Sequence, residues 1–430
     1  VRHFWREKSG NFGILTALMV VPIFGTAGVA LDISQALAVK ADLQNAADAA
    51  VLASVAKASK EVEAARKMVG NGKIEIANND ALNFFQSDAV GRDDFDVDSV
   101  GVFVEKVGNV VQASVTFQAT VQTSLTRIIG KEFVTVSGMA TAKYETETYS
   151  DFYLLLDNTP SMGVGATPAD VKMMVDNTKD KCAFACHVVN KDGVDDPNSY
   201  YHLAKKLGVT TRINVVAQAT AALMDTATDL RKVSNQYRMA VYTFGEKAQD
   251  TKLLEVVPLT TDLASAKKKA AAIDLMSALS KKSEESELTD FDKTLTQLGT
   301  KMGVAGSGTS SALPDKVVFF VSDGVGDSRK PVGCTKKLNG GRCQEPIDTT
   351  FCTALKVKGY RIAVLYTTYL PLPDDNWYNT WINPFQSQIS TRMQECASPG
   401  LYFEVSPTEG ISDAMAALFK RIITSPRLTS

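Results

Sequence analysis

Asp157, Thr159 and Ser161 place one carboxylate and two hydroxyls at every second position, directly after the apolar run Phe152 to Leu156. A short apolar run bounded by turn residues predicts a strand buried on both faces, as in a parallel sheet. The carboxyl end of such a strand is where open α/β sheets place their ligands. Three oxygens turned toward one point suit a hard divalent cation. The same pattern recurs where the apolar run Val317 to Val321 ends in Ser322 and Asp323. Thr289, just before the helical pattern from Phe291, offers a further hydroxyl. Asp157, Thr159, Ser161, Thr289 and Asp323 thus form an all-oxygen candidate set for Mg2+, or for another divalent cation such as Mn2+ or Ca2+.

The elements that must position this set follow from periodicity. From about Tyr149 onward, apolar strand patterns alternate with helical ones. Strands are expected at 152–156, 239–244, 317–321, 362–366 and 401–405. Helices are expected at 213–230, 263–279, 291–302, 349–357 and 409–423. This alternation predicts an α/β fold with a doubly wound, mostly parallel sheet over 149–430. Two long insertions, 162–211 and 324–348, leave the strand ends that carry the candidate set and should crowd its rim. Trp377, Tyr378, Trp381 and Phe385 fall in the segment after the strand at 362–366, where packing over the core is the favoured reading.

Upstream, residues 12–31 form 20 residues without a charge, long enough to span a bilayer as a helix. Arg2, His3, Arg6 and Lys8 precede it against a single Glu7. The positive-inside rule then puts the leader, residues 1–11, in the cytoplasm and everything after Asp32 outside. An uncleaved anchor is preferred over a cleaved signal peptide. Residues 32–70 are alanine-rich and proline-free, with a narrow apolar stripe, and read as a helical stalk. Residues 71–148 contain β-branched alternation and a Gly108-Asn109 turn signal, and read as a small α+β spacer.

With 430 residues, 45% hydrophobic content and a net charge of −2, the chain carries no broad basic surface, which argues against nucleic-acid binding. Its six cysteines all follow residue 180. In an exported chain they predict disulfides, with local pairs expected at Cys182–Cys186, Cys334–Cys343 and Cys352–Cys396. Only three histidines are present, which disfavours serine or cysteine hydrolysis.

Two resemblances arise from these residues. The charged leader, the apolar run, Asp32, Leu43-Gln44 and the alanine-rich stretch 46–50 with Asp48 at its centre resemble the N-terminal module of TadE/TadG-like Flp pilus-assembly proteins. No glutamate stands five residues after Gly10 or Gly13, so processing as a prepilin is not expected. The resemblance implies a single-pass protein of the bacterial inner membrane, with its C-terminal domain periplasmic or extracytoplasmic and partners in the pilus-assembly machinery. Residues 150–425 resemble the von Willebrand factor A domain and its metal-ion-dependent adhesion site. That family's D-x-S-x-S motif matches Asp157, Thr159 and Ser161; its later threonine matches Thr289 best, and its later aspartate matches Asp323. The loop around Thr289 departs from the family: it lacks the usual glycines and carries Glu284, Glu285, Glu287 and Asp290. The two resemblances imply a non-enzymatic protein that recognises partners through a bound divalent ion during pilus assembly or anchoring. An envelope adhesin unrelated to pili is the alternative. Haloacid-dehalogenase-type phosphatases also end a strand in an aspartate, but their general acid would fall at Thr159.

Overall fold

The computed structural model describes residues 11–75, 80–89, 94–279, 288–369, 371–373, 375–406 and 410–424. The cationic leader positions 2–8 and the acidic positions 284, 285 and 287 lie outside them. The chain divides into two compact units, Val1–Thr146 and Glu147–Ser430.

In the first unit, α1 (Asn11–Ser54) is one continuous helix that contains Pro22. Its apolar N-terminal part is long enough to cross a membrane, and none of residues 13–27 is buried. A buried stripe then begins: Gly28, Asp32, Ala36, Val39, Leu43, Ala46, Ala47, Ala50 and Val51, at spacings of three or four that keep one helix face inward. After α1 come α2 (Lys60–Lys67), β1 (Gly72–Lys73), α3 (Asp80–Ala89), β2 (Phe95–Val107), β3 (Val110–Gln122) and β4 (Phe133–Glu145). The strands form an antiparallel sheet in the order β1-β2-β3-β4. Alternate residues of β3, from Val111 to Val121, are buried in one core with the α1 stripe. Residues 32–54 therefore fold with the sheet rather than extending alone. Close approach of α1 to β4 requires Gly138, where a Cβ would lie 2.5 Å from the Gln44 Oε1 and 2.6 Å from the Phe117 ring. The fully buried Lys106 donates to the Ala65 and Met68 carbonyls at the end of α2, satisfying groups the helix leaves open.

The second unit runs β5 (Ser150–Leu156), α4 (Pro168–Asn177), α5 (Tyr200–Leu207), α6 (Arg212–Leu230), β6 (Tyr237–Thr243), β7 (Leu254–Thr260), α7 (Leu263–Ala270) and α8 (Phe291–Lys301). It continues with β8 (Asp315–Ser322), β9 (Val325–Arg329), β10 (Leu338–Asn339), β11 (Arg342–Pro346), α9 (Thr349–Val357), β12 (Arg361–Thr367), α10 (Asn376–Trp381), α11 (Gln386–Cys396), β13 (Tyr402–Val405) and α12 (Ile411–Thr424). Six strands form a sheet in the order β13-β12-β8-β5-β6-β7, parallel except for the edge strand β7. Phe152, Leu154 and Leu156 pack against α6, α7 and α12; Tyr153 and Leu155 pack on the other face with α8, α9 and α11. Helices on both faces explain why β5 is apolar at every position.

Each insertion has a local fold. The first contains α4 and α5, and the second a small sheet in the order β10-β11-β9. Tyr378 and Phe385 are buried and Trp377 and Trp381 half-buried in the core, as packing of that segment requires. Two of the three expected disulfides form, Cys334–Cys343 and Cys352–Cys396. Cys182 and Cys186 are not joined, correcting that expectation. The intervening Phe184 is held in a β-bridge to Val164 instead of the tight turn that so short a link requires.

Cys352–Cys396 ties α9 to α11 across 44 residues. Replacing both cysteines with alanine should lower unfolding stability by about 4 kcal/mol on the chain-entropy estimate. Denaturant unfolding measures this, and an unchanged midpoint would contradict it.

Candidate functional site

The register of the central strands builds the site. Leu156 lies opposite Val321 in the parallel β5–β8 pair, and the Asp157 N–H continues the ladder to the Val321 carbonyl at 2.9 Å. Asp157 and Ser322 therefore leave the same sheet edge side by side, with Asp323 next. A turn through Gly324, at φ +72°, lets the chain leave tightly beneath α11. A Cβ at Gly324 would lie 2.7 Å from Ile389 and 2.8 Å from Met393.

Hydrogen bonds fix the oxygens. The Thr159 N–H and hydroxyl donate to Asp157 Oδ1 at 3.0 and 2.7 Å. The Ser322 hydroxyl donates to Asp157 Oδ2 at 2.6 Å and accepts the Gly324 N–H at 3.0 Å. Thr159 Oγ1 lies 3.3 Å from Ser161 Oγ, and the Ser161 hydroxyl in turn hydrogen-bonds Asp323. Asp157, Thr159, Ser322 and Asp323 are fully buried; Ser161 is partly exposed and forms the accessible side. Asn158 holds the loop in place by donating to the Gly245 carbonyl at 2.8 Å and accepting the Phe244 N–H at 3.1 Å. Under Asn158 and Thr243 opens a separate cleft of about 390 Å³, bordered by Lys269 and Asp274.

Four of the five predicted residues thus converge. Thr289 is placed differently. Its backbone N–H and carbonyl pair with Asp327 at 2.8 and 3.0 Å, four positions beyond Asp323. Among the described residues, its hydroxyl is not part of the hydrogen-bond set that joins the other four.

Two partners were not singled out from the sequence. Ser322, the residue before Asp323, was visible in the motif but not assigned a role. Arg212 had no local signal. It stands in the first turn of α6, fully buried, with Nη1 3.3 Å from Asp323 Oδ2 and its guanidinium 5.0 Å from the Tyr369 ring centre. Among the described residues, Arg212 Nε and Nη2, Thr367 Oγ1 and the Tyr369 hydroxyl are buried without hydrogen-bond partners.

Electrostatics follow from this burial. Asp157 is pushed up to about 7 by loss of solvent and then by the Asp323 charge, against hydrogen bonds from Ser322 and Thr159. Burial also raises Asp323, although Arg212 and Ser161 pull it down. Burial raises the Tyr369 phenol strongly. Two carboxylates in one dry site with a single guanidinium leave a deficit of positive charge. The donor set is oxygen-only, and a hard divalent cation fits it.

Residues 10–58 match the family described as "Putative Flp pilus-assembly TadE/G-like". No curated protein matches the chain. Similar solved structures include the pilus adhesin SpaC from Lactobacillus rhamnosus GG, 13% identical, covering 77% of this chain and 34% of SpaC, with a TM-score of 0.40. The chain therefore corresponds to about a third of SpaC. Others are the von Willebrand factor domain of the type V pili tip protein Mfa5 from Porphyromonas gingivalis (10% identity, 66% and 99% coverage, TM-score 0.37) and proximal thread matrix protein 1 from the mussel byssus with a zinc-occupied MIDAS motif (11%, 64% and 48%, 0.33). These likenesses are distant, and the fold stands on the strand order above.

Two predictions follow from the burial. Asp157 has a folded pKa above its unfolded one, so its contribution is fully present below about pH 4 and is lost as pH rises through about 7. In chelator, the stability of the native chain relative to Asp157→Asn should fall across that window, as read by denaturant unfolding at a series of pH values; a rise would contradict the assignment. Arg212→Met, which leaves Asp323 uncompensated, should cost about 3–5 kcal/mol in the same assay, and a loss below 1 kcal/mol would remove Arg212 from the site.

Proposed function

We propose that this is a membrane-anchored, extracytoplasmic protein-binding component of Flp/Tad pilus assembly or anchoring. It recognises partners through a divalent cation held in a von Willebrand A-like unit. The observation that carries this reading is the convergence of Asp157, Thr159, Ser161 and Asp323 at the ends of neighbouring parallel strands, with Ser161 on the accessible side. Support for the pilus context comes from the N-terminal match over residues 10–58. Support for the anchor comes from the uncovered apolar stretch of α1.

In this reading Asp157, Thr159, Ser161 and Asp323 hold Mg2+, Mn2+ or Ca2+, with Thr289 the remaining candidate. The bound ion supplies a positive centre that attracts a carboxylate of the partner. The chain's own groups do the rest. Ser322 and the Thr159 N–H orient the Asp157 carboxylate, Asn158 fixes the loop, and Arg212 holds Asp323 in place. The two carboxylates balance the charge of a divalent ion, and Arg212 beside Asp323 brings the site to one formal positive charge, which favours an acidic partner group. Position 159, where a haloacid-dehalogenase-type phosphatase would carry its general acid, is a threonine, and the proposed role is binding without turnover.

Purified full-length chain in detergent should gain thermal stability on addition of Mg2+ or Mn2+, approaching about 2.7 kcal/mol at a hundredfold excess over Kd. Asp157→Ala should remove that gain together with capture of envelope partners. Partner capture that survives both chelator and Asp157→Ala unchanged would falsify the bridging mechanism.

A further inference from the structure

The tip of the β3–β4 hairpin carries a group of exposed apolar side chains that the proposed site does not use. Leu125 is 42% exposed, Ile128 80%, Ile129 63% and Phe133 49%. Arg127 and Lys131 flank them, with one acidic neighbour, Glu132, and all three are exposed. Soluble surfaces seldom gather apolar side chains in this way without a partner. The tip contains a short 3-10 turn, Thr126–Ile129, closed by Gly130 at φ +88°. The Lys131 N–H donates back to the Thr126 carbonyl, and Thr123 and Glu132 pair across the base. The tip is therefore a built loop.

Its position along α1 is fixed by two contacts within the same unit. Asp32, 4% exposed, accepts the N–H groups of Ser124 at 2.9 Å, Leu125 at 3.1 Å and Thr126 at 2.7 Å, and the Thr126 hydroxyl at 2.8 Å. One turn toward the N-terminus, a Cβ at Gly28 would lie 2.9 Å from the Leu125 Cβ. From Ser124 to Leu125 the loop thus advances along the helix toward its uncovered apolar part. The strand direction agrees: Met139 of β4 meets Gln44, so the chain from there to Phe133 runs toward the earlier residues of α1. Gly28 is also where burial of α1 begins, and residues 13–27 are uncovered. The hairpin tip accordingly sits at the end of the span proposed for the bilayer.

We infer that residues 124–133 form a second membrane contact, inserting Leu125, Ile128, Ile129 and Phe133 into the lipid interface beside the exit of α1, with Arg127 and Lys131 meeting anionic headgroups. The occupant is the phospholipid interface because the patch is continuous with the lipid-facing surface of α1, and because basic side chains at its edge complement acidic lipids. This rests on the reading of α1 as a membrane span. The Asp32 clamp then has a mechanical consequence. Because the loop is tied to the helix at the interface, the first unit is held against the membrane in one orientation instead of swinging on a single helix.

The test uses the full chain in vesicles of zwitterionic and anionic phospholipid, with and without bromine on the acyl chains. Single tryptophans are introduced at Ile128, at Ile23 within the span and at Val107 at the opposite end of the sheet. A Trp5→Phe background is used, in which Trp377 and Trp381 set the baseline. Ile128→Trp and Ile23→Trp should each lose roughly half their added emission to bromine, and Val107→Trp none, as interfacial insertion requires. Quenching at position 23 but not at 128 overturns the inference and leaves the span intact. A blue-shifted but unquenched signal at 128 also overturns it, by showing protein cover such as a second copy. Loss of quenching at both positions removes the span and the inference together.

Discussion

Two carboxylates buried side by side at the edge of a parallel sheet are the constraint on which the second unit depends. Asp157 and Asp323 are both cut off from water, and each charge raises the cost of the other. The surroundings are organised to offset that cost. Ser322 and Thr159 donate to Asp157, Ser161 and Arg212 face Asp323, and Gly324 lets the chain turn away without crowding α11. The compensation is incomplete, because one guanidinium faces two carboxylates and, among the described residues, two of its own nitrogens have no partner. A site in this condition either keeps a proton, as the raised Asp157 and Asp323 show, or takes up a further cation.

Uptake of a cation connects fold to proposed role. A doubly wound sheet places both strand ends at one edge because β5 and β8 are neighbours in register. The strands themselves are rigid, apolar and packed on both faces, so the oxygens project from a fixed platform. In the first unit the same logic operates with a single carboxylate. Asp32 is satisfied by three backbone N–H groups and one hydroxyl, and in being satisfied it fixes the hairpin to the helix.

Much of this was legible in the sequence where the signal was local. The apolar runs before Asp157 and Asp323 found β5 and β8, and alternation found the β2–β4 sheet. The edge strand β7 was not legible, because it contains Pro258 and alternates only weakly between buried and exposed positions. The helix expected at 263–279 ends at Ala270, since the residues that follow turn back to pair with the Asn158 loop. Arg212 was invisible because it is separated from Asp323 by 111 positions, and a lone arginine at the head of a helix carries no pattern. Thr289 was placed by resemblance, and its observed backbone pairing with Asp327 leaves its part in the donor set the least supported of the five.

The most direct measurement of the central claim is calorimetric titration of Mn2+ and Mg2+ into the full-length chain stripped of metal. The account predicts a saturable heat from a single class of site per chain, absent in Asp157→Asn and tighter in Arg212→Met once that variant is shown to be folded, because a competing positive charge has been removed. No saturable heat in the native chain, or the same heat in Asp157→Asn, would contradict it.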